Sequence, residues 1–182
     1  MKTNQGQEVG DLQMEDFIHI RQMTLDDIEM IHQVFNDHDI ERDIDYILKC
    51  WDENESGARI TLLAFYKDQL AGSLHLLSTS FYPPFAQQGI PEVNDFNVFD
   101  PFKRLGIGNR LMDAIETIAI EKYGKVGIGV GMHIYYGPAQ RLYAKRGYLP
   151  DGRGVTYHNE VVMPFTNVCA DNDLVLYMTK ER

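Results

Sequence analysis

Residues 93–112 read VNDFNVFDPFKRLGIGNRLM, and this stretch decides the fold. A strand-type run ending at Val98 passes through Asp100-Pro101-Phe102-Lys103-Arg104-Leu105 into Gly106-Ile107-Gly108. A helical pattern follows at once: Ile107, Leu111, Met112, Ile115, Ile118 and Ala119 keep one face between Gly106 and Tyr123. Strand, glycine turn and helix together make an arrangement suited to phosphate. A helix start presents unpaired amides and a partial positive charge, and glycine lets the backbone come close to an anion. Lys103, Arg104 and Arg110 add full charges. The same residues also describe a tight turn with a solvated basic patch, and the glycines alone do not separate the two. Several other motifs are excluded by their spacing. Leu111 stands where a dinucleotide-binding GxGxxG needs its third glycine, and no GK[ST] marks a P-loop. There is no GxSxG elbow, and His19, His32, His38, His75, His133 and His158 show no metal-ligand spacing.

On the N-terminal side of this stretch, Phe17 to Met23 alternates like a strand, with Thr24 three residues before Asp27 as a helix-starting cap. Ile28, Ile31, Val34 and Phe35 predict one amphipathic helix. Beyond a break at Asn36 to Asp39, Ile40, Ile44, Ile47, Leu48 and Trp51 predict a second. Asp37, Asp39, Glu41, Asp43, Asp45, Asp52 and Glu53 cluster around the second helix, either as a solvated face or as a rim that attracts an amine. Ala58 to Tyr66 and Leu70 to Ser78 read as a hairpin about Lys67-Asp68-Gln69. Phe81 to Gly89 reads as a pocket-bordering loop, and Pro91 to Phe99 as a strand. On the C-terminal side come a strand over Val126 to His133, a short helix over Pro138 to Lys145 stopped at Gly147, and strands over Val155 to Asn159 and Leu174 to Thr179.

The chain has 182 residues, 44% of them hydrophobic, which predicts one domain over 16–182 behind a flexible leader, Met1 to Glu15. No apolar run reaches the roughly 20 residues of a membrane span, and no secretory signal opens the chain, so a cytoplasmic location without membrane partners is expected. Cys50 and Cys169 lack metal or disulfide spacing and read as reduced thiols; no metal cofactor is expected. The net charge of −10 disfavours nucleic acid and suits a cationic or neutral substrate.

Val98 to Gly108 resembles the acetyl-CoA motif of the GNAT acetyltransferases, a valine-ended strand followed by Arg/Gln-x-x-Gly-x-Gly/Ala. Lys103-Arg104-Leu105-Gly106-Ile107-Gly108 matches its frame. Lys103 replaces the usual Arg or Gln, and its neighbour Arg104 can supply the planar donor. Ala139-Gln140-Arg141-Leu142-Tyr143-Ala144-Lys145-Arg146-Gly147-Tyr148 is similar to the AxxLYxKxGF segment that closes the CoA site. Tyr136 stands where the family often has Asn. The resemblance spans roughly Ile18 to Lys180. It implies a mixed α/β fold with a mostly antiparallel sheet of about six or seven strands and about four helices.

It also implies roles. The Phe96, Asn97 and Val98 edge would pair with pantetheine, and the Val98 amide would polarise the thioester carbonyl. The amides of Arg104 through Asn109 would hold the pyrophosphate, with Tyr136 and Ala139 at the pantetheine side. Tyr143 would protonate the leaving thiolate. An alkylamine with a pKa near ~10.4 must lose a proton to attack at neutral pH. Glu92, six residues before Val98, is the first candidate base, with Asp95, Asp100, His133 and a water chain as alternatives. The family's fourth strand is commonly bulged, so alternation along it does not settle which side chains face the site. A small-molecule amine acetyltransferase is expected first, with a deep acidic pocket near Glu92. A protein or peptide N-acetyltransferase and a non-catalytic acetyl-CoA-binding module are the alternatives. Acceptor selectivity is expected in the Phe81 to Gly89 loop and the acidic second helix. Aromatics such as Tyr135 and Tyr157 would permit a homodimer.

Overall fold

A computed structural model describes residues 17–182; the expected leader lies outside the described residues. The chain divides into two compact units. One takes the chain up to His75 and again over Asp95–Ile115, and the other takes Leu76–Asn94 and Glu116–Arg182. Among the described residues, eight strands and five α-helices make the mixed α/β fold.

The first unit opens with β1 (Ile18–Gln22), a single 3-10 turn (Leu25–Asp27), and helices α1 (Ile28–Asp37) and α2 (Ile44–Glu55). The cap at Thr24 forms as the sequence predicts. The Asp27 carboxylate accepts from the Thr24 amide at 2.7 Å and its hydroxyl at 2.8 Å, while the Arg21 fork donates to both of its oxygens at 2.6 Å. Strands β2 (Arg59–Tyr66) and β3 (Gln69–Leu77) follow as the expected hairpin. Lys67 and Asp68 both take positive φ, 48° and 66°, the conformation of a two-residue turn whose twist suits the flanking strands. The strand order here is β1-β2-β3-β4, with β4 spanning Glu92–Val98. The apolar faces of α1 and α2 bury Ile28, Ile31, Phe35 and Ile47 against Leu63, Phe65, Leu70 and Phe99. Helix α4 (Ile107–Tyr123) starts in this unit, with Ile107, Leu111, Met112 and Ile115 fully buried.

The second unit shares β4 and α4 along the chain and continues the strand order from β4 as β5-β8-β6-β7. These strands are β5 (Lys125–Gly131), β6 (Leu149–Tyr157), β7 (Glu160–Val161) and β8 (Leu174–Glu181). The β4–β5 pairing, Glu92 with Gly127 and Val93 with Ile128, is parallel, whereas β5–β8, β6–β8 and β6–β7 are antiparallel. Helix α5 (Gly137–Lys145) precedes β6.

Two departures from the sequence-based expectation have physical causes. The Phe81 to Gly89 segment is not a loop: Pro83–Gln88 forms a short helix, α3. Its prolines occupy first-turn positions whose missing N–H costs no helical bond, and Phe85, 1% exposed, anchors it against Tyr82, Ile90 and Tyr177. Strand β6 begins at Leu149, six residues before the expected Val155. Leu149 and Pro150 pair with Thr179 and Met178, and an irregularity intervenes before the ladder resumes at Val155.

Candidate active site

In the first unit β4 leads through buried Phe99 and a 3-10 turn (Asp100–Phe102) to the start of α4. Arg104 and Gly106 take positive φ, 64° and 87°. At Gly106 the residue type permits this conformation at no steric cost; at Arg104 it is a strained position for a side chain. These left-handed residues turn the chain into the helix, whose first amides have no intrahelical acceptor. The Arg110 amide makes the first helical bond, to the Gly106 carbonyl at 3.1 Å. The amides of Gly106, Ile107, Gly108 and Asn109 thus belong to the helix start, the general arrangement for binding an anion. Lys103 and Arg104 are exposed beside it, and Leu105 is half-buried. Lys103 pairs with Asp100, whose carboxyl is held below its ordinary value by that hydrogen bond. The rings and methyls of Phe96 and Val98 lie under Gly108, where an added Cβ would stand 3.2 Å from Phe96 Cζ and 3.6 Å from Val98 Cγ2.

The expected bulge in β4 is at Asp95, whose φ is 46°. It is accommodated by Gly72 of β3, where a Cβ would meet the Asn97 carbonyl oxygen at 2.5 Å, so only glycine allows the strands this close. The Asp95 carboxylate receives Arg42 Nη2 at 2.6 Å, Asn97 Nδ2 at 2.9 Å and the Tyr46 hydroxyl at 3.4 Å, and His75 Nε2 lies 3.5 Å away. Burial opposes its charge, but His75, Arg42 and Asn97 prevail and hold the carboxyl well below the usual carboxylate range. Behind His75 the hydrogen bonds run in one direction. Asn54 accepts the Thr61 amide at 2.7 Å and donates to the Cys50 carbonyl at 2.6 Å, which fixes its amide orientation. Its Nδ2 also donates to Thr61 Oγ1 at 2.9 Å, leaving the Thr61 proton for His75 Nδ1 at 2.8 Å. His75 therefore carries its proton on Nε2, toward Asp95, and burial keeps the ring below its ordinary pKa and neutral. This network walls one side of a small void of about 20 Å³, lined also by Met23, Ile31, Phe35, Ile47, Cys50, Leu63 and Ser73; Asp95 is in the lining, and Glu92 is not.

In the second unit Glu92 is 4% exposed and enclosed. Ser80 Oγ donates to its Oε2 at 2.5 Å, the Tyr82 amide donates to Ser80 Oγ at 2.9 Å, and Asn94 Nδ2 reaches Oε1 at 3.5 Å. Burial raises the Glu92 carboxyl above its ordinary value against the opposing pull of Ser80 and Asn94. Tyr143, on α5, is 5% exposed, with its ring 5.9 Å from that of Tyr148. Burial pushes its phenol above the ordinary value, so it stays protonated at neutral pH. Tyr136 packs on the end of β5, where a Cβ on Gly131 would meet its ring at 2.4 Å, and its hydroxyl donates to Asn172 Oδ1 at 3.2 Å. Gln140 Nε2 donates to the Gly131 carbonyl at 2.8 Å, fixing the helix turn that carries Ala139 to the end of β5. His133 lies 3.0 Å from the same Asn172 oxygen.

The residues missed in the sequence are Arg42, Tyr46, Asn54, Thr61, His75 and Ser80. None of them stands in a motif, and only the pairing of distant segments reveals their partners. The sole signal in the sequence was the polar residue embedded in an otherwise buried strand, as His75 is in β3.

The chain matches the family model described as Acetyltransferase (GNAT) family over residues 16–148. No curated protein matches its sequence. Among solved structures it is similar to an N-acetyltransferase from Staphylococcus aureus Mu50, with TM-score 0.67 and 17% identity over 90% of this chain and 98% of that one. A ribosomal-protein-alanine N-acetyltransferase from Brucella melitensis gives TM-score 0.65 and 18% identity over 90% and 99%. The PaiA N-acetyltransferase from Thermoplasma acidophilum, solved in complex with coenzyme A, gives 0.64 and 16% over 91% and 99%.

Proposed function

We propose that this chain, which belongs to the GNAT acetyltransferase family, transfers the acetyl group of acetyl-CoA to the primary amine of a small molecule by direct attack through a tetrahedral intermediate. The observation that carries the proposal is the strand-turn-helix of residues 93–112. Its left-handed Arg104 and Gly106 and its helix-start amides fit a diphosphate, with Lys103 and Arg104 as exposed cations. Acetyl-CoA supplies an activated thioester when bound. The Phe96, Asn97 and Val98 edge takes the pantetheine, and the Val98 amide donates to the thioester oxygen as charge develops there. A donor of this kind is worth about a hundredfold or more in rate.

Glu92 is the group best suited to accept the amine proton. A general base works best with its pKa near the operating pH, and burial moves Glu92 in that direction. Asp95 and Asp100 are moved the other way by Arg42, His75 and Lys103 and are poorer bases. Tyr143, kept protonated by burial, gives its proton to the departing sulfur. The net charge of −10 suits a cationic amine as acceptor. Thiol release from acetyl-CoA is to be measured with polyamines, aminoglycosides, amino acids and short peptides. Turnover confined to one small-molecule class supports the proposal, and turnover confined to peptides overturns its acceptor half.

A further inference from the structure

In the second unit the ladder between β6 and β8 pairs Leu149 and Pro150 with Thr179 and Met178 and resumes only at Val155, so Asp151 to Gly154 leave it as an arch. Gly152 and Gly154 take positive φ, 86° and 80°, and a Cβ added at either would meet nothing within 4 Å, so backbone conformation and not crowding calls for glycine there. A strand that departs from its ladder in this way re-aims a side chain. Here the side chain is Asp151, 7% exposed. Its Oδ1 accepts the Arg153 amide at 2.9 Å, which fixes the carboxylate on the arch, and its Oδ2 accepts the Tyr82 hydroxyl at 3.0 Å across 69 residues of sequence.

Tyr82 carries that anchor toward Glu92. Its buried ring is stacked on Tyr177, with centroids 3.7 Å apart and planes 3° from parallel, and the Tyr177 hydroxyl donates to Asn159 Oδ1 at 2.6 Å. Burial and the Asp151 bond push the Tyr82 phenol up to about 12, so it remains a donor at neutral pH. At the other end of the residue, the Tyr82 amide donates to Ser80 Oγ at 2.9 Å. A hydroxyl has one proton to give, and Ser80 gives it to Glu92 Oε2. Of the elements around Glu92, α3 has no ionisable side chain, β5 places Gly127 opposite it, and β8 supplies the Tyr177 phenol, raised by burial and by Glu92 itself. Asp151, with Arg153 Nε 3.8 Å away, is the charged pair on this line.

We propose that Asp151 is a positioning residue for the base: by anchoring Tyr82 it holds the Ser80 hydroxyl on Glu92 and keeps that carboxyl in its ionised, proton-accepting form. The proposal rests on the base role given to Glu92 above, and it gives the arch in β6 its purpose.

Two quantities test it in the full chain. One is the acid limb of thiol release from acetyl-CoA with the amine that the panel above identifies. The other needs no turnover: the titration of the Glu92 carboxyl by carboxyl-carbon NMR, assigned with Glu92→Gln. Tyr82→Phe keeps the Asp151 charge and loses the bond. Asp151→Asn loses the charge and keeps both contacts, with its oxygen on the Arg153 amide and its Nδ2 on the Tyr82 oxygen. Both quantities should move to higher pH by about half to one pH unit, the worth of one hydrogen bond, in Tyr82→Phe and Asp151→Ala, and should not rise in Asp151→Asn. Added to Ser80→Ala, Tyr82→Phe should move neither further, because the hydroxyl through which it acts is gone. Calorimetric acetyl-CoA affinity reports that the variants are folded. A Glu92 titration unchanged in Tyr82→Phe, or a shift that adds in full to that of Ser80→Ala, overturns the proposal whatever the melting temperatures do. A carboxyl titration that moves as expected while the acid limb stays in place in every variant, Ser80→Ala included, supports the positioning and removes Glu92 from the base role alone.

Discussion

At the scale of single residues, the proposal depends on two protons. Glu92 is a carboxyl raised by burial and restrained by the Ser80 hydroxyl at 2.5 Å. Glu92→Gln should lower kcat/KM by about 10²- to 10⁴-fold, the usual worth of a general base, with acetyl-CoA affinity preserved by calorimetry. A base must be ionised to act, so activity should fall as pH drops through the raised Glu92 pKa. Ser80 favours the ionised form; Ser80→Ala removes that donor, so the acid limb of the pH profile should move to higher pH. An acid limb that stays in place in Ser80→Ala would remove Glu92 from the base role. Tyr143→Phe should lower kcat with little change in acetyl-CoA affinity, measured by the same two assays, because burial holds that phenol protonated and its hydroxyl is asked only to meet the leaving sulfur. The family resemblance singled out Glu92, Tyr143 and the Gly106–Gly108 turn, and the roles proposed for them are what the variants above test. It did not single out Ser80 and Arg42, since neither stands in a motif and each acquires its partner only when segments 12 and 53 residues apart in sequence meet.

At the scale of elements, the turn into α4 and the bulge in β4 carry the most specific expectations. Gly108→Glu places a carboxylate among the helix-start amides and against Phe96, and should abolish acetyl-CoA binding in calorimetry while the far-ultraviolet circular dichroism persists. Gly72→Ala would push a methyl into the Asn97 carbonyl, and a thermal melt should show a loss of about 1–3 kcal/mol from the strain alone. In the second unit, Glu116 of α4 is 6% exposed. It takes Arg146 at 2.7 and 2.9 Å and Lys180 at 2.6 Å, joining α4 to the residue after α5 and to β8. Burial works against its charge, but Arg146 and Lys180 hold its carboxyl below the ordinary value. A depressed folded pKa gives stability that is present above the unfolded value near ~4.3 and is lost as pH falls through the folded one. Glu116→Ala leaves two cations without their anion and should cost about 3–5 kcal/mol at neutral pH, a penalty that shrinks in acid. The strands and long helices were readable from periodicity, and the hairpin from its three-residue break. Helix α3 was not, because two prolines and two glutamines in six residues show no periodicity, and its stability comes from Phe85 packing on Tyr82 and Tyr177. The bulge was foreseen only through the family resemblance; its position at Asp95 depends on the hydrogen bonds of Arg42 and Asn97, which no local pattern encodes.

At the scale of the whole molecule, composition and charge bounded the answer without naming it. A net charge of −10 suits an acceptor that is not a nucleic acid. Among the described residues no helix is long and apolar enough to cross a membrane, and no cluster of His, Cys, Asp and Glu is arranged to hold a metal ion. Both cysteines, buried Cys50 and exposed Cys169, are free. Solved structures at 10–18% identity reproduce the fold and leave the acceptor open, since one fold serves many acceptors. The most direct test of acetyl transfer to a small amine is the thiol-release assay with acetyl-CoA and a panel of free amino acids, polyamines, aminoglycosides and short peptides. Saturable thiol release with a free small-molecule amine, reduced in Glu92→Gln and Tyr143→Phe, is the predicted result. Tight acetyl-CoA binding by calorimetry with no thiol release on any amine or peptide would contradict it.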